Sequence, residues 1–343
     1  MHRIKALIYG VGAMARTYMV KFMVEKGVDI VGAVARTSNI GKDLGEVCGL
    51  GRSLGVEISD DVDEVISSRQ IDIAVITTKS LMRDTFDQIA KCVSHGINVI
   101  TICEEALYPW HTSPVITAKL DKLAKENGVT ITGSGYQDVY FTNMITQLAG
   151  TCQRIDSITG TARYNINDYG PEVARLHYVG DTEAQFHKKI EKEGPLPSFL
   201  RNCAEAMCAN MGLTIIRCVA SCEPLKDEVD IYAKSLGRTI PAGRLVGCSD
   251  ICEIDTEQGV KIKTVMMGKC YKKGEVDINK WEIHDGNLNT NVENCSPPTD
   301  VATCATVVNR IPDVINAEPG FITCEKLPQL QYRVYPLHYY LKR

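Results

Sequence analysis

The chain has 343 residues, a length that fits two domains better than one simple core. Its 38 Lys plus Arg against 42 Asp plus Glu leave a net charge of -4, so there is no cationic field to hold a nucleic-acid backbone or an anionic membrane surface. Apolar residues make up 44% and charged residues 23%, and no apolar run reaches the roughly 20 residues of a membrane span, which excludes a membrane-embedded protein.

The first residues run at once into a strand-like segment without an apolar signal region, so the expected location is the cytoplasm. The 14 cysteines are dispersed and fit reduced thiols that fill core space in a reducing cell. Cys203/Cys208, Cys218/Cys222 and Cys248/Cys252 lie four or five apart, one face of a helix, but no Cys-x-x-Cys pair accompanies them and no metal is expected.

In chain order, Ile4 to Tyr9 is a short apolar run that stops at Gly10-Val11-Gly12-Ala13-Met14-Ala15. Arg16 to Lys26 is long enough for a helix ended by Gly27, and Asp29 to Ala35 reads as a second strand, so the chain opens β-α-β. Strands are predicted at Ile71 to Thr77, Asn98 to Cys103 and Val129 to Gly133, and helices near Ser80 to His95 and Ser113 to Asn127. This alternation predicts a doubly wound parallel sheet of the Rossmann type, with ligands at the carboxyl ends of its strands.

Beyond Gly133-Ser134-Gly135-Tyr136 the alternation fails. A helix (Asp138 to Ala149), a strand (Asp156 to Tyr164), a mostly helical stretch (Pro171 to Met211) and strands near Leu213 to Ala220, Arg244 to Asp255, Val260 to Tyr271 and Lys280 to Asp285 predict a second, α+β domain. A turn-rich segment, Asn287 to Pro298, precedes a helix from Val301 to Ile315, expected to pack back on the first domain, and the tail Tyr332 to Leu341 reads as strand. The expected domains are therefore 1–135 with 299–343, and 136–298.

Gly10-x-Gly12-x-x-Ala15 follows a strand and opens a helix: Gly10 permits the tight turn, Gly12 lets a diphosphate approach the backbone of Gly12, Ala13 and Met14, and Ala15 allows close helix–sheet packing. The second strand ends at Ala35, where an NAD-selective site would carry an acidic residue. Arg36, Thr37 and Ser38 follow, with Lys42 nearby, a set suited to a 2'-phosphate, so NADP is preferred and NAD stays possible. Thr77, Thr78, Lys79 and Ser80 could line the adenosine and diphosphate path, though such residues also cap helices.

Thr101-Ile102-Cys103-Glu104-Glu105 sends two carboxylates from the end of a central strand, beside Tyr108, Pro109 and Trp110. Adjacent residues diverge, so one of the two faces a cleft, and desolvation with a neighbouring like charge would raise its pKa as a general acid/base requires. Tyr136, Arg163, Asn165 and His177 are the candidate substrate contacts. His177, His187 and His284 each read more readily as surface or hydrogen-bonded core residues than as catalysts, and Arg163 equally as a structural ion-pair partner.

Together these segments, with Cys103 to Trp110, Gly133 to Asp138, Pro297-Pro298, Thr306 to Asn316 and Tyr335 to Tyr339, resemble the 2,4-diaminopentanoate dehydrogenases and the native amine dehydrogenases related to them, over nearly the whole chain. That resemblance implies a dihydrodipicolinate reductase-like architecture, a Rossmann domain covered by an α+β domain that binds substrate and dimerises, usually as a homodimer. It implies NAD(P)-dependent oxidative deamination of an amine to ketone plus ammonia, reversible as reductive amination, with 2,4-diaminopentanoate and 2-amino-4-oxopentanoate as the expected pair. The family's catalytic carboxylate falls in the Glu104-Glu105 pair, with Glu104 favoured. The His-His pair and lysine-glycine anion loop of the more distant dihydrodipicolinate reductases are absent, which argues against that reaction. The alternatives are an amine dehydrogenase acting on small uncharged ketones or aldehydes and a non-catalytic NADP-binding regulator.

Overall fold

The computed structural model describes residues 3–195, 197–286 and 289–342. It separates into two units, Met1–Asn143 with Pro298–Arg343, and Met144–Pro297.

In the first unit, apolar runs too short for helices form the strands β1 (Lys5–Tyr9), β2 (Asp29–Val34), β3 (Ile58–Ser59), β4 (Ile73–Ile76), β5 (Asn98–Thr101) and β6 (Thr130–Gly133). They pair in parallel in the order β3-β2-β1-β4-β5-β6, and a two-residue strand, Gly320–Phe321, extends the sheet beyond β6. This is the strand order of a dinucleotide fold, with its switch point between β1 and β4.

Both faces are buried, as a parallel sheet requires. Ala6, Ile8 and Ile73 pack beneath Met19, Met23, Cys304, Val307 and Ile311 on one side, and Leu7, Ala74 and Val99 beneath Ile89 and Leu120 on the other. The Thr299–Ile315 helix thus belongs to this unit although most of its strands lie far upstream.

The first unit reaches Asn143, eight residues past the boundary expected from the sequence, because the segment after β6 is bolted to that helix. The fully buried Arg310 guanidinium makes two bonds of 2.9 Å to Asp138, whose carboxylate also accepts from Ser134 (2.7 Å) and Asn143 (2.7 Å). Arg310 also donates to the Pro328 carbonyl, and Arg333 reaches Asp313 at 2.6 Å, tying in the tail. That tail is not the strand expected at Tyr332 to Leu341. It runs irregularly into a 3-10 turn, Leu337–Tyr340, with Tyr332, Tyr335 and Tyr339 exposed, and among the described residues no strand pairs with it.

The second unit holds β7 (Ser157–Asn165), β8 (Ile215–Lys226), the short pair β9 (Ile231–Ala233) and β10 (Arg238–Ile240), then β11 (Leu245–Thr256), β12 (Lys261–Lys269), β13 (Ile278–His284) and β14 (Asn289–Cys295). Six of these form a mixed sheet in the order β14-β13-β7-β12-β11-β8, in which only β7 and β12 run parallel. The helices Pro171–Leu176, Glu183–Glu193 and Phe199–Met211 complete an α+β unit. β14 occupies most of the segment expected to be turns, whose first residues, Asn287 and Leu288, lie outside the described residues. It is an edge strand of mostly polar residues, four of the seven exposed, so it lacks the apolar alternation by which strands are read.

Candidate active site

The chain leaves β1 at Gly10 with φ of +106°, a conformation that favours glycine. Its N–H donates to Val34 (2.8 Å) and its carbonyl accepts from the Thr77 hydroxyl (2.6 Å), closing the loop across the switch point. A β-carbon at Gly10 would lie 2.7 Å from the Thr78 methyl, so Thr77 and Thr78 fix this turn, and the Thr78 hydroxyl is already given to Gln88 at 2.5 Å.

Gly12 differs: a β-carbon there would meet nothing within 4 Å, and Gly12 and Ala13 are exposed with Met14 half-buried. The first N–H groups of a helix have no intrahelical partner, so this open backbone fits a diphosphate. Helical backbone begins at Ala13 and passes through a wide π turn, Ala15–Met19, before regular helix at Val20–Glu25. At the end of β2, Ala35 is buried while Arg36, Thr37 and Ser38 are all exposed and can reach a phosphate. The residues present therefore fit a dinucleotide.

β5 ends in a short network. Thr101 donates to the Ile76 carbonyl (3.2 Å) and accepts from the Cys103 N–H (3.1 Å), turning the chain into the 3-10 turn Glu104–Leu107. That turn lies against β6 so closely that a β-carbon at Gly133 would be 2.3 Å from the Ala106 carbonyl carbon. Within it the two carboxylates diverge. Glu105 is buried and bridges two helix starts, accepting from the Met82 N–H at 2.7 Å and from the Ser113 hydroxyl at 2.6 Å. It caps the Met82–Ser94 helix, whose preceding residue, Leu81, offers no side-chain cap. Glu104 makes no such commitment: burial pushes its carboxyl above the ordinary glutamate range, and a hydrogen bond with the Ser80 side chain only partly opposes this. The cause is desolvation, not the like charge next door. Ser80 also accepts the Glu105 N–H through its carbonyl (3.1 Å), so one residue of β4's exit steadies both acids.

Tyr136 is buried, stacked on Tyr140 with ring centres 4.3 Å apart and its N–H given to Thr303 (3.1 Å). In the second unit, Arg163 donates twice to the Val276 carbonyl (3.2 and 3.0 Å) and lies over the Tyr271 ring. Asn165 accepts from the Asn167 N–H (3.1 Å). Alternation along β7 sends Arg163 and Asn165 to one face and Tyr164 to the other. There the Tyr164 hydroxyl lies 2.6 Å from His177 Nε2, while His177 Nδ1 donates to the Val173 carbonyl (2.8 Å). Burial lowers the His177 pKa, so the neutral ring accepts from the phenol. Tyr164 was not singled out from the sequence, where one tyrosine at a strand end carries no signal. His187 lies on an exposed helix beside Glu183 (3.7 Å), and His284 bonds Asn289 (2.9 Å). Among the described residues no helix is long and apolar enough to cross a membrane, and no cluster of three or more His, Cys, Asp or Glu could hold a metal ion.

A model of the oxidoreductase family with an NAD-binding Rossmann fold matches residues 4–134, and a model of the 2,4-diaminopentanoate dehydrogenase C-terminal domain matches residues 139–335. The chain is 30% identical, over 96% of its length and 94% of the relative's, to 2,4-diaminopentanoate dehydrogenase of Acetoanaerobium sticklandii. The amine dehydrogenase from Mycobacterium smegmatis superposes with a TM-score of 0.88 at 43% identity, over 97% of this chain and 98% of that one. Myo-inositol 2-dehydrogenase from Lactobacillus plantarum shares only the fold, at 15% identity and a TM-score of 0.61 over 95% and 93% of the two chains.

The class is thus a nicotinamide-dependent oxidoreductase built on a Rossmann domain. Within it, this chain belongs to the 2,4-diaminopentanoate dehydrogenase family, and it is an NAD(P)-dependent dehydrogenase that oxidises an amine.

Proposed function

We propose that the enzyme deaminates a primary amine to a ketone and ammonia, reversibly, with Glu104 as the general acid/base. The observation that carries this reading is the division of labour after β5: Glu105 is consumed by two helix starts, and the desolvated Glu104 is left to exchange protons. A nicotinamide, when bound, supplies the acceptor for the hydride that leaves the amine carbon. Glu104 removes a proton from the substrate ammonium and frees the lone pair that drives hydride out. It releases that proton to solvent, takes another from the water that attacks the iminium, and returns it to nitrogen as ammonia departs. A carboxyl whose pKa is raised above the ordinary glutamate range by desolvation gives up and takes back a proton more evenly than an exposed glutamate.

Gly12, Ala13 and Met14 take the diphosphate on backbone N–H groups, and Arg36 with Thr37 and Ser38 takes a 2'-phosphate, making NADP the preferred cofactor. No acidic residue at Ala35 supports that preference. A homodimer is carried over from the family likeness.

The substrate carried over from the named relative is 2,4-diaminopentanoate, formed in reverse from 2-amino-4-oxopentanoate. A second reading, an amine dehydrogenase acting on small uncharged ketones or aldehydes, is favoured by one observation: Arg163, the cation expected to receive a substrate carboxylate, is held by Val276 and Tyr271. The 43% identity to a protein described as an amine dehydrogenase supports it too. Ammonia-dependent oxidation of NADPH and NADH against 2-amino-4-oxopentanoate and a panel of uncharged ketones decides. Turnover of the amino acid alone, reduced in Arg163→Ala through KM, establishes the first reading. Turnover of the panel, unmoved by Arg163→Ala, establishes the second, and silence on both overturns the assignment of the reaction.

A further inference from the structure

On the helix-facing side of the second unit's sheet, β8 and β11 each carry two cysteines, and the strand register assembles them into two pairs. Cys218 lies across from Ile254 and Cys252 across from Ala220, so the two are diagonal neighbours on one face, with sulfur atoms 3.7 Å apart. Cys222 and Cys248 repeat the arrangement farther along and are hydrogen-bonded to each other. None of the four is in a disulfide.

The pairs differ in what surrounds them. Beside Cys218 the Phe199–Met211 helix places Arg201, which bonds Glu205 at 2.8 Å, and the Cys218 sulfur lies 4.0 Å from that same Glu205 oxygen. The Cys252 thiol, hydrogen-bonded to the Cys218 sulfur, lowers Cys218 to about 7 against the effect of burial, and the Arg201 charge adds to this while the Glu205 carboxylate opposes it. The same hydrogen bond and burial push Cys252 up. Cys248 is pushed up by its hydrogen bond to Cys222 and by burial, with Asp250 adding to this, and no guanidinium offsets it. Access divides the first pair in the same sense, since Cys218 is half-buried and Cys252 buried.

We propose that Cys218 and Cys252 form a reversible dithiol–disulfide site, with Cys218 as the attacking thiol, Cys252 as the resolving thiol and a low-molecular-weight disulfide as the oxidant. The Cys218 thiolate attacks one sulfur of that disulfide, the old S–S bond breaks as the new one forms, and the departing thiolate is protonated by solvent. Cys252 then loses its proton to solvent and attacks the Cys218 sulfur, expelling the second small thiol. Two protein thiols are oxidised to one disulfide and one external disulfide is reduced to two thiols. The sulfurs already touch at 3.7 Å, and the bridge shortens that separation to a bond of about 2.05 Å. The bridge ties the edge strand β8 to β11 and opens again under a reducing dithiol.

The test is to incubate the full chain with oxidised glutathione at pH 7.5, alkylate the remaining thiols and map the digest by mass spectrometry. A Cys218–Cys252 linked peptide, reversed by dithiothreitol, is expected. Cys252→Ser is expected to stop at a single glutathione on Cys218, and Cys218→Ser to yield no linked peptide. Arg201→Gln is expected to slow the first step at pH 7 by about tenfold, through a smaller thiolate fraction. Absence of the linked peptide from wild-type protein overturns the proposal without any variant having to fold, as does glutathione confined to the exposed Cys295 or a bridge formed at Cys222–Cys248 alone.

Discussion

Two buried carboxyls, one in each unit, invite comparison. Glu104 leaves β5 in the first unit and Asp250 sits in the middle of β11 in the second. Burial pushes both above the ordinary range, Asp250 to about 7, and in each case one serine hydroxyl, Ser80 or Ser198, partly opposes the shift. Their settings differ. Glu104 stands in a turn at the carboxyl end of a parallel strand, where an open sheet of this kind binds ligands, next to a second acid that does the structural work. Asp250 lies between two ladders, opposite Cys222 and Met266, is only 9% exposed, and its Oδ1 has no hydrogen-bond partner among the described residues. A raised carboxyl pKa by itself marks desolvation. The place in the fold decides whether the proton is used in a reaction or only affects stability.

The sharpest way to break this comparison is Glu104→Gln. Turnover is expected to fall about 10²- to 10⁴-fold, with NADP affinity and melting temperature near wild type. In the wild type, kcat/KM for deamination should rise with pH through an acid limb above the ordinary glutamate value, and the variant should lack that limb. Full activity in the variant would transfer the acid/base role elsewhere.

Asp250→Asn should do the opposite, leaving turnover alone and changing how stability depends on pH. The folded chain holds this proton until about pH 7 while the unfolded chain releases it near 3.8, so its contribution is full below 3.8 and is lost as pH rises to 7. Across that window, wild-type stability relative to the variant should fall by at most roughly 1.4 kcal/mol per pH unit, measured by urea unfolding at several pH values. A constant difference would mean that Asp250 is not protonated when folded.

Smaller effects sharpen the picture. Arg36→Ala removes the charge expected at the 2'-phosphate, and the NADP-over-NAD preference in kcat/KM should drop by roughly tenfold, the scale of one charge-assisted hydrogen bond. An unchanged preference would remove Arg36 from the cofactor site. Glu105→Gln keeps one acceptor but loses the charged cap, costing about 1 kcal/mol of stability and a few degrees of melting temperature, with far less effect on rate than Glu104→Gln. A larger rate loss in the Glu105 variant would reverse the assignment of the two acids.

Much of the first unit was legible because its signals are local. Alternating apolar runs and helix-length stretches, the glycine turn after β1, and the missing acid at Ala35 each depend on a few neighbouring residues, and the pair of acids at the end of β5 is visible as a pair. Contacts between residues far apart in the chain were not legible. The boundary at Asn143 rests on Arg310 meeting Asp138, and β14 exists because β13 offers a partner to residues with little apolar character. The spacing of four in Cys218/Cys222 and Cys248/Cys252 suggested a helix face, yet these residues stand on strands, where the same spacing also shares a face and the register chooses the partner.

The sequence by itself determined a dinucleotide fold with a mixed second domain and singled out two adjacent glutamates as candidates for the acid/base. Only the tertiary structure could separate those two, because neighbouring residues have the same composition and local propensity and differ only in what their side chains meet. Glu105 meets the Met82 N–H and the Ser113 hydroxyl, and Glu104 meets desolvation and Ser80.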